Sequence, residues 1–333
     1  MTHLARPQQD IPDRTRPGAD REAPPGTEKK RPLPDPRYVA LRNFALSISV
    51  LNILGYTVLG FEQPWLWPLA AVAAAYATEI LLEWLTAWSE RRPTRFGGGF
   101  RALYEFLLPA HITALACNML LYANDHILPM LCAVVIGVAQ KTVLRAPVKG
   151  RMRHFMNPSN FGITVVLLAY SWIAIAPPYH FTEHLNAYGS WGLPAVILIA
   201  GTLLNAKLTR KLPLIAGWVG AFVLQAVARW VFLDSSLVSA LSVMSGVAFI
   251  LFTNYMITDP GTTPFRPRDQ VVFGASVGVV YGLLILAHIP YTLFFAVSLV
   301  CAVRGAGWWA AHALTVLRRP ALPSGAPAAG AGA

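Results

Sequence analysis

The region from Tyr38 to Leu317 is almost continuously apolar and is interrupted only by short turns that hold Pro, Gly or charged residues. A bilayer core about 30 Å thick requires about 20 apolar residues for each crossing helix. Lipid offers no partner for an open backbone group, so helices are favoured over irregular chain. The sequence therefore predicts an all-α integral membrane protein with ten transmembrane helices. The predicted helices are residues 38–60, 65–88, 103–123, 126–143, 158–176, 190–206, 212–233, 236–257, 270–287 and 290–316.

Lys and Arg are concentrated in every second loop between these helices. Cytoplasmic loops carry the excess of positive charge, so the alternation predicts a cell-membrane protein with both termini in the cytoplasm. Topology and attraction to anionic lipid then account for the net charge of +11. The bilayer is the expected partner, and nucleic acid is not. The basic residues of these loops are Arg91, Arg92, Arg95, Arg101, Lys141, Arg145, Lys149, Arg151, Arg153, Lys207, Arg210, Lys211, Arg266, Arg268, Arg318 and Arg319.

The two ends of the chain differ from the apolar region. Residues 1–37 mix Pro, Arg, Asp and Glu with few apolar residues, a composition that predicts a disordered basic cytoplasmic tail. Residues 319–333 are rich in Pro, Gly and Ala and predict a flexible cytoplasmic tail. Residues 38–318 are expected to form one polytopic membrane domain.

Two charged residues fall inside predicted helices. Arg304 lies near the middle of the last helix, where a charge costs about 3 kcal/mol on the insertion scale and needs a partner. Glu79 lies at a similar depth in the second helix, about 14 residues from its outer end. The sequence predicts an intramembrane ion pair between Glu79 and Arg304. The alternative is that Arg304 contacts backbone carbonyls or snorkels while Glu79 faces a cavity.

Other polar residues have simpler interpretations. His111 and Asn118 lie seven residues apart on one helix face and are expected to form hydrogen bonds to neighbouring helices. His180, Glu183 and His184 match an H-x-x-E-H pattern, which holds zinc only on a helix and with a third ligand. Here the pattern follows two prolines in a loop, so a solvated polar loop is expected and no metal site is predicted.

Two cytoplasmic segments rich in turn residues are the candidate functional site. In the first, Asn157 and Pro158 suit the cap and first position of a helix. The second follows Asn254, and there hydroxyl and carboxylate groups gather near Gly261, which permits a tight turn. Both segments carry an Asn/Asp-Pro core, and a role as capped turns is the alternative interpretation. The predicted cofactor-binding residues are Asn157, Thr258, Asp259, Thr262 and Thr263.

Five predicted helices precede the outer loop at residues 177–189, and five follow it. An odd number of helices in each half inverts the second half relative to the first. Folds built from such inverted repeats place their sites at the interface between the repeats. The sequence therefore predicts two inverted five-helix halves, residues 38–176 and 190–318.

The turn segments carry a resemblance to a known family. HFMNPSNFGI and YMITDPGTTPFRPRDQVVFGASVGVVYGLL resemble the RnfD and NqrB membrane subunits of ion-motive electron-transport complexes. The chain as a whole is similar to the UnbU proteins of enediyne biosynthesis, which are distant relatives of RnfD. The resemblance implies a fold of ten helices in two inverted repeats, and electron transfer through flavins.

The sequence departs from that family at the outer loop. Family members attach FMN to a threonine of an S-G-A-T type motif after the fifth helix. The corresponding stretch here reads APPYHFTEHLNAYGSWG, in which Thr182 is the only threonine and stands between Phe181 and Glu183. Covalent FMN is therefore not supported.

Two functions remain open. In the first, the chain is an accessory electron-transfer component of enediyne biosynthesis that uses a noncovalent flavin or quinone near the TDPGTTP segment, with partner proteins that deliver electrons. In the second, the same scaffold transports an enediyne precursor or product, or presents it to other pathway enzymes. The sequence contains no Walker A loop and no G-x-S-x-G elbow, so ATP-driven transport by this chain alone is not expected.

Overall fold

The computed structural model describes residues 36–318, without the side chains of residues 36, 37, 178 and 179. The predicted tails at residues 1–37 and 319–333 lie almost entirely outside this range. Helices account for most of the described chain. They are α1 Pro36–Leu54, α2 Trp67–Ser89, α3 Phe100–Leu120, α4 Ile127–Val143, α5 Pro158–Ala169, α6 Ala187–Leu204, α7 Leu212–Leu233, α8 Leu237–Ser242, α9 Val247–Leu251, α10 Pro267–Leu286 and α11 Thr292–Leu317.

Seven helical segments in the described range are long and apolar enough to cross a membrane, and a bent pair makes an eighth if it is one span. The bent pair is Leu237–Ser245 with Val247–Met256, which meet at 66°. The apolar helices α4 and α5 have only 17 and 12 residues. The prediction of a multi-pass all-α membrane protein is confirmed, whereas ten crossings remain a prediction. The seven segments are Tyr38–Leu59, Trp67–Ser89, Phe100–Leu120, Ala187–Thr209, Leu212–Leu233, Pro267–Leu286 and Thr292–Leu317.

Helix α5 is shorter than the predicted helix at residues 158–176. It ends at Ala169, because Tyr170 takes an extended backbone conformation. The chain then forms the short strand β4, Ala174–Ile175, which pairs antiparallel with β1, Leu121–Tyr122. A short apolar run suits a buried strand as well as a helix, so periodicity alone could not find this break.

Three helices end in a five-residue π-helix, a feature that often marks functional sites. Gly55–Leu59 continues α1, Asn205–Thr209 continues α6, and Phe252–Met256 continues α9. The first two are closed in the same way, by a left-handed residue at Gly60 (φ 74°) or Arg210 (φ 53°).

Close helix contacts depend on glycine in both halves of the chain. A Cβ atom at Gly162 would lie 2.0 Å from the Ala133 carbonyl oxygen, so α5 and α4 touch backbone to backbone. At Gly274 it would lie 2.2 Å from the Leu214 carbonyl oxygen, which joins α10 to α7 in the same manner. Elsewhere α2 packs on α4, α1 on α3, α6 on α9, and α11 on both α10 and α5.

A basic hairpin connects α4 to α5. Strands β2, Arg145–Val148, and β3, Arg151–His154, pair antiparallel with Arg145 opposite His154. Lys149 and Gly150 form the turn with φ values of 49° and 78°, the left-handed pair that a tight type I′ hairpin requires. The hairpin places Arg153 and His154 directly before the Asn157 turn.

Candidate functional site

The two predicted turn segments meet through Asn157. Its side-chain oxygen accepts a hydrogen bond from the Asn160 backbone N–H at 3.1 Å, so Asn157 caps α5 and the predicted cap is confirmed. Its side-chain nitrogen donates to the Met256 carbonyl oxygen at 2.8 Å. Since Met256 ends the π-helix before the second segment, one buried amide fixes both segments.

The second segment folds into a tight turn around Asp259. The carboxylate accepts hydrogen bonds from the Gly261 backbone N–H at 3.1 Å and from the Thr262 hydroxyl at 2.7 Å. The Thr263 hydroxyl donates to the Asp259 carbonyl oxygen at 2.6 Å, and the Thr258 hydroxyl donates to the Asn254 carbonyl oxygen at 2.7 Å. The three threonines are buried. Their hydroxyls therefore hold the turn, which agrees with the alternative interpretation of a capped turn.

Three cations from separate elements converge on the stretch Thr262–Phe265. Lys211, between α6 and α7, donates to the Pro264 carbonyl oxygen at 2.7 Å. Arg304 of α11 donates to the Thr262 carbonyl oxygen. The guanidinium carbon of Arg153 lies 5.4 Å from the centroid of the Phe265 ring, and the ammonium of Lys211 lies 5.2 Å from it. Both distances are within the range of cation–π contacts. We call Arg153, Lys211 and Arg304 the cation cluster.

Burial changes the acidity of two groups at this turn. Lys211 is 1% exposed, and burial lowers its pKa to about 8, although the Asp259 carboxylate acts in the opposite direction. Burial also lowers the pKa of His154; Asp259 raises it, while Lys141, Arg145 and Arg153 lower it further. Positive charge at this turn is therefore only partly compensated by the protein.

The predicted ion pair between Glu79 and Arg304 is not formed. The Glu79 carboxylate lies 2.6 Å from the Lys141 ammonium of α4, and Arg304 bonds the Thr262 carbonyl and lies 4.3 Å from the centre of the Trp308 ring. The prediction compared only depth along the helices. Helix α2 packs on α3 and α4, so a cation at the end of α4 reaches Glu79 first. The alternative of a carbonyl partner for Arg304 is the one observed.

The polar residues of α3 bond to neighbouring helices, as predicted. The two ring nitrogens of His111 contact the Ser49 hydroxyl at 2.8 Å and the Tyr76 hydroxyl at 3.0 Å. The Asn118 side-chain nitrogen donates to Asn52 at 3.1 Å and to the Tyr56 hydroxyl at 3.0 Å. These bonds tie α1 and α2 to α3.

An apolar cavity, which the sequence did not predict, lies between α1 and α3 on one side and α9 and α11 on the other. The centre of a water-sized sphere can occupy about 90 Å³ of it, and the empty space between its lining atoms, open mouth included, totals about 840 Å³. Met256 lines it and is also the partner of Asn157, so one end of the cavity adjoins the turn. The lining residues are Phe44, Ile48, Leu51, Ile112, Ala116, Met119, Leu120, Ser159, Ile175, Ala176, Phe181, Ala248, Leu251, Phe252, Tyr255, Met256, Leu293 and Phe294.

No family model and no curated protein matches the chain. The cavity and the cation cluster are therefore interpreted from their own chemistry.

The loop at residues 177–189 is buried at His180 and Phe181 and exposed at Glu183 and His184. The buried His180 ring stacks on Phe61 with centroids 4.0 Å apart, and burial lowers the pKa of His180. The ring of His184 lies over Gly60, where a Cβ atom would be 2.2 Å away. Residues 178–181 form one 3-10 turn rather than a helix with both histidines on one face. Within the described residues no group of three His, Cys, Asp or Glu side chains is placed to hold a metal.

Proposed function

We propose that this chain is a multi-pass membrane protein of enediyne biosynthesis, of RnfD/NqrB type, that binds an apolar ring-bearing molecule in the cavity. In this proposal it acts as an accessory electron-transfer component without covalent FMN. The observation that carries the proposal is the cavity itself, which is enclosed by helices from both halves of the chain. The turn-segment resemblance supports the pathway and the redox role.

The chemistry of the lining favours a quinone over a flavin. Among the lining residues only Ser159 and Tyr255 carry hydroxyl groups, and every other side chain is apolar. Ligand sites commonly combine such an apolar wall with a few polar groups that fix orientation. Both hydroxyls have partners in the protein, Asn157 for Ser159 and Ser47 for Tyr255, so the cavity offers mainly apolar contact, which suits the ring of a quinone. The lining itself contains no cation that would pair with a flavin phosphate.

The packing supports two inverted repeats with ten crossings. Helices α1 and α6 both end in a π-helix with a left-handed cap. The contacts α1–α3, α2–α4 and α4–α5 have counterparts in α6–α9, α7–α10 and α10–α11. The cavity would then lie at the repeat interface, where transporters of this architecture place their sites. The basic loops support cytoplasmic termini.

Transport or presentation of an enediyne precursor is the second candidate. The observation that favours it is the absence of charged residues among those that line the cavity, because an unsaturated hydrocarbon chain needs only apolar contact. Biosynthetic partner proteins would then receive the molecule. Adjacent genes for a polyketide synthase would support either role in this pathway, whereas adjacent genes for other Rnf subunits would favour an electron-transport complex.

The test is to purify the full chain in detergent, pass it through gel filtration, and extract it with organic solvent. A quinone in the extract supports electron transfer, and a polyketide-derived polyene supports the second candidate. Absorbance near 450 nm that survives filtration would indicate a flavin and would overturn the preference for a quinone. If neither the spectrum nor mass spectrometry of the extract reveals a bound molecule, the proposal fails.

A matched pair of variants locates the bound molecule. Ala248→Phe fills the cavity, because Ala248 lines it. Ala302→Phe adds the same ring at an exposed position of α11. Loss of the molecule from the first variant alone supports the cavity as its site, and equal retention in both would contradict it.

A further inference from the structure

The cation cluster has more positive charge than the protein around it balances. Within residues 36–318, Arg153, Lys211 and Arg304 make no ion pair with a carboxylate closer than 4.0 Å. The carboxylate of the turn, Asp259, is held by Gly261 and Thr262. The three cations instead contact two backbone carbonyls and the aromatic rings of the turn and of α11.

The arrangement is costly for a purely structural turn. A buried ammonium loses several kcal/mol of hydration unless it is well compensated. Lys211 is 1% exposed and donates one hydrogen bond, to Pro264, although an ammonium has three donors. A neutral side chain at that position would fill the space without this cost. The hydrogen bond to Pro264 alone does not offset the cost of burying this charge.

We propose that Arg153 and Arg304, which are partly exposed, bind a phosphate group on the cytoplasmic side of the protein, and that the buried charge of Lys211 adds to the positive potential there. Three cations against the carboxylates of Asp259 and Asp269 leave an excess of positive charge. A phosphate monoester carries about −1.5 to −2 at pH 7 and is attracted to that excess. Two guanidinium groups also suit the bidentate geometry of phosphate oxygens.

Each cation comes from a different part of the fold, which makes the site dependent on the folded chain. Arg153 is delivered by the β2–β3 hairpin, Lys211 by the α6–α7 connection, and Arg304 by α11. The site lies outside the apolar cavity, whose lining contains none of the three. Phosphate binding at this site therefore does not depend on the molecule proposed for the cavity.

The phosphate has two possible sources, a soluble phosphate ester or the headgroup of an anionic lipid. Both present negatively charged phosphate oxygens, up to two charges in a monoester and one in a phosphodiester lipid. The test separates them by using inorganic pyrophosphate as the soluble probe and phosphatidylglycerol nanodiscs as the lipid probe. The protein used is the delipidated full chain in neutral detergent.

Pyrophosphate binding is measured by isothermal titration, and lipid retention by native mass spectrometry. We expect at least one probe to bind, and Arg153→Gln to weaken that binding tenfold or more. Arg151→Gln is the matched control, since Arg151 lies on the same strand but is exposed, and it should change binding less than twofold. Arg153 lies on the hairpin, outside the helix packing, so this variant should fold.

Each outcome decides the proposal. Pyrophosphate binding that needs Arg153 assigns a soluble phosphate ester, and retention of phosphatidylglycerol alone assigns a lipid headgroup. Equal losses in the Arg151 and Arg153 variants would mean diffuse attraction to a basic face and would overturn the site. Binding of neither probe by the wild-type chain would overturn it as well.

Discussion

The apolar cavity and the turn around Asp259 are neighbours with opposite chemistry. The cavity is lined by aliphatic and aromatic side chains, while the turn is surrounded by Arg153, Lys211 and Arg304. The two regions are adjacent. Met256 lines the cavity, and its carbonyl oxygen accepts a hydrogen bond from Asn157 beside the turn. The sequence led to the turn, and the structure revealed the cavity.

This contrast shows which residues are available to a ligand. The hydroxyls of Thr258, Thr262 and Thr263 are engaged inside the turn, so these residues shape the site without facing it. The cations around the turn and the apolar walls of the cavity are the groups that remain available to contact a ligand. Two ligands of different chemistry would satisfy both regions.

Removing the amide that joins the two regions should have the largest effect. Asn157→Ala loses a helix cap worth about 1 kcal/mol and a buried hydrogen bond to Met256 worth about 1–2 kcal/mol. We expect a total loss of about 2–3 kcal/mol, measured by thermal unfolding in detergent. Asn186→Ala is the control, because Asn186 caps α6 through Gly189 at 2.9 Å and is exposed; it should lose about 1 kcal/mol. Equal losses would show that the link to Met256 contributes nothing.

The charge difference between the regions should appear in the pH dependence of stability. The pKa of Lys211 is lowered from 10.5 to about 8 in the folded chain. Between these values the unfolded chain binds more protons than the folded chain, so this residue makes stability rise with pH. Relative to Lys211→Met, the wild type should gain about 2 kcal/mol from pH 7 to pH 10.

The control for this prediction is Lys207→Met, which removes an exposed lysine from the same connection. The difference in unfolding temperature between wild type and this variant should stay constant over the same pH range. A constant difference for the Lys211 variant too would mean that its ammonium is better solvated than its burial indicates.

A smaller effect tests whether Arg304 belongs to the turn or to Glu79. A double-mutant cycle with Glu79→Gln and Lys141→Gln should give a coupling energy of about 1 kcal/mol, since the charges are 2.6 Å apart and partly buried. The cycle with Glu79→Gln and Arg304→Gln should give a coupling within about 0.5 kcal/mol of zero. Coupling in the second cycle and none in the first would restore the ion pair predicted from depth alone.

The membrane class and the positions of most helices could be predicted because they depend on local properties, the lengths of apolar runs and the placement of Lys and Arg. The Asn157 cap was also predictable, since a cap and a following proline are local signals. The end of α5 at Ala169 was not, because an apolar run does not separate strand from helix.

The site was predicted only in part for a related reason. Asn157 and Asp259 could be predicted because the residues that form a turn are neighbours in the sequence. Which cation pairs with Glu79, and where the cavity lies, both depend on which helices are in contact. The order and length of the apolar runs do not contain that information. No pattern links Phe44, Ala248 and Phe294, which lie on three helices and meet only at the cavity wall.

The central claim, that the cavity binds an apolar ring-bearing molecule, is tested most directly by titrating a short-tailed quinone, decylubiquinone, into the purified chain and its variants. We expect saturable binding to the wild type and to Ala302→Phe, and at least a tenfold weaker binding to Ala248→Phe with its unfolding temperature little changed. Equal affinity in all three proteins, or no saturable binding to the wild type, would contradict the account.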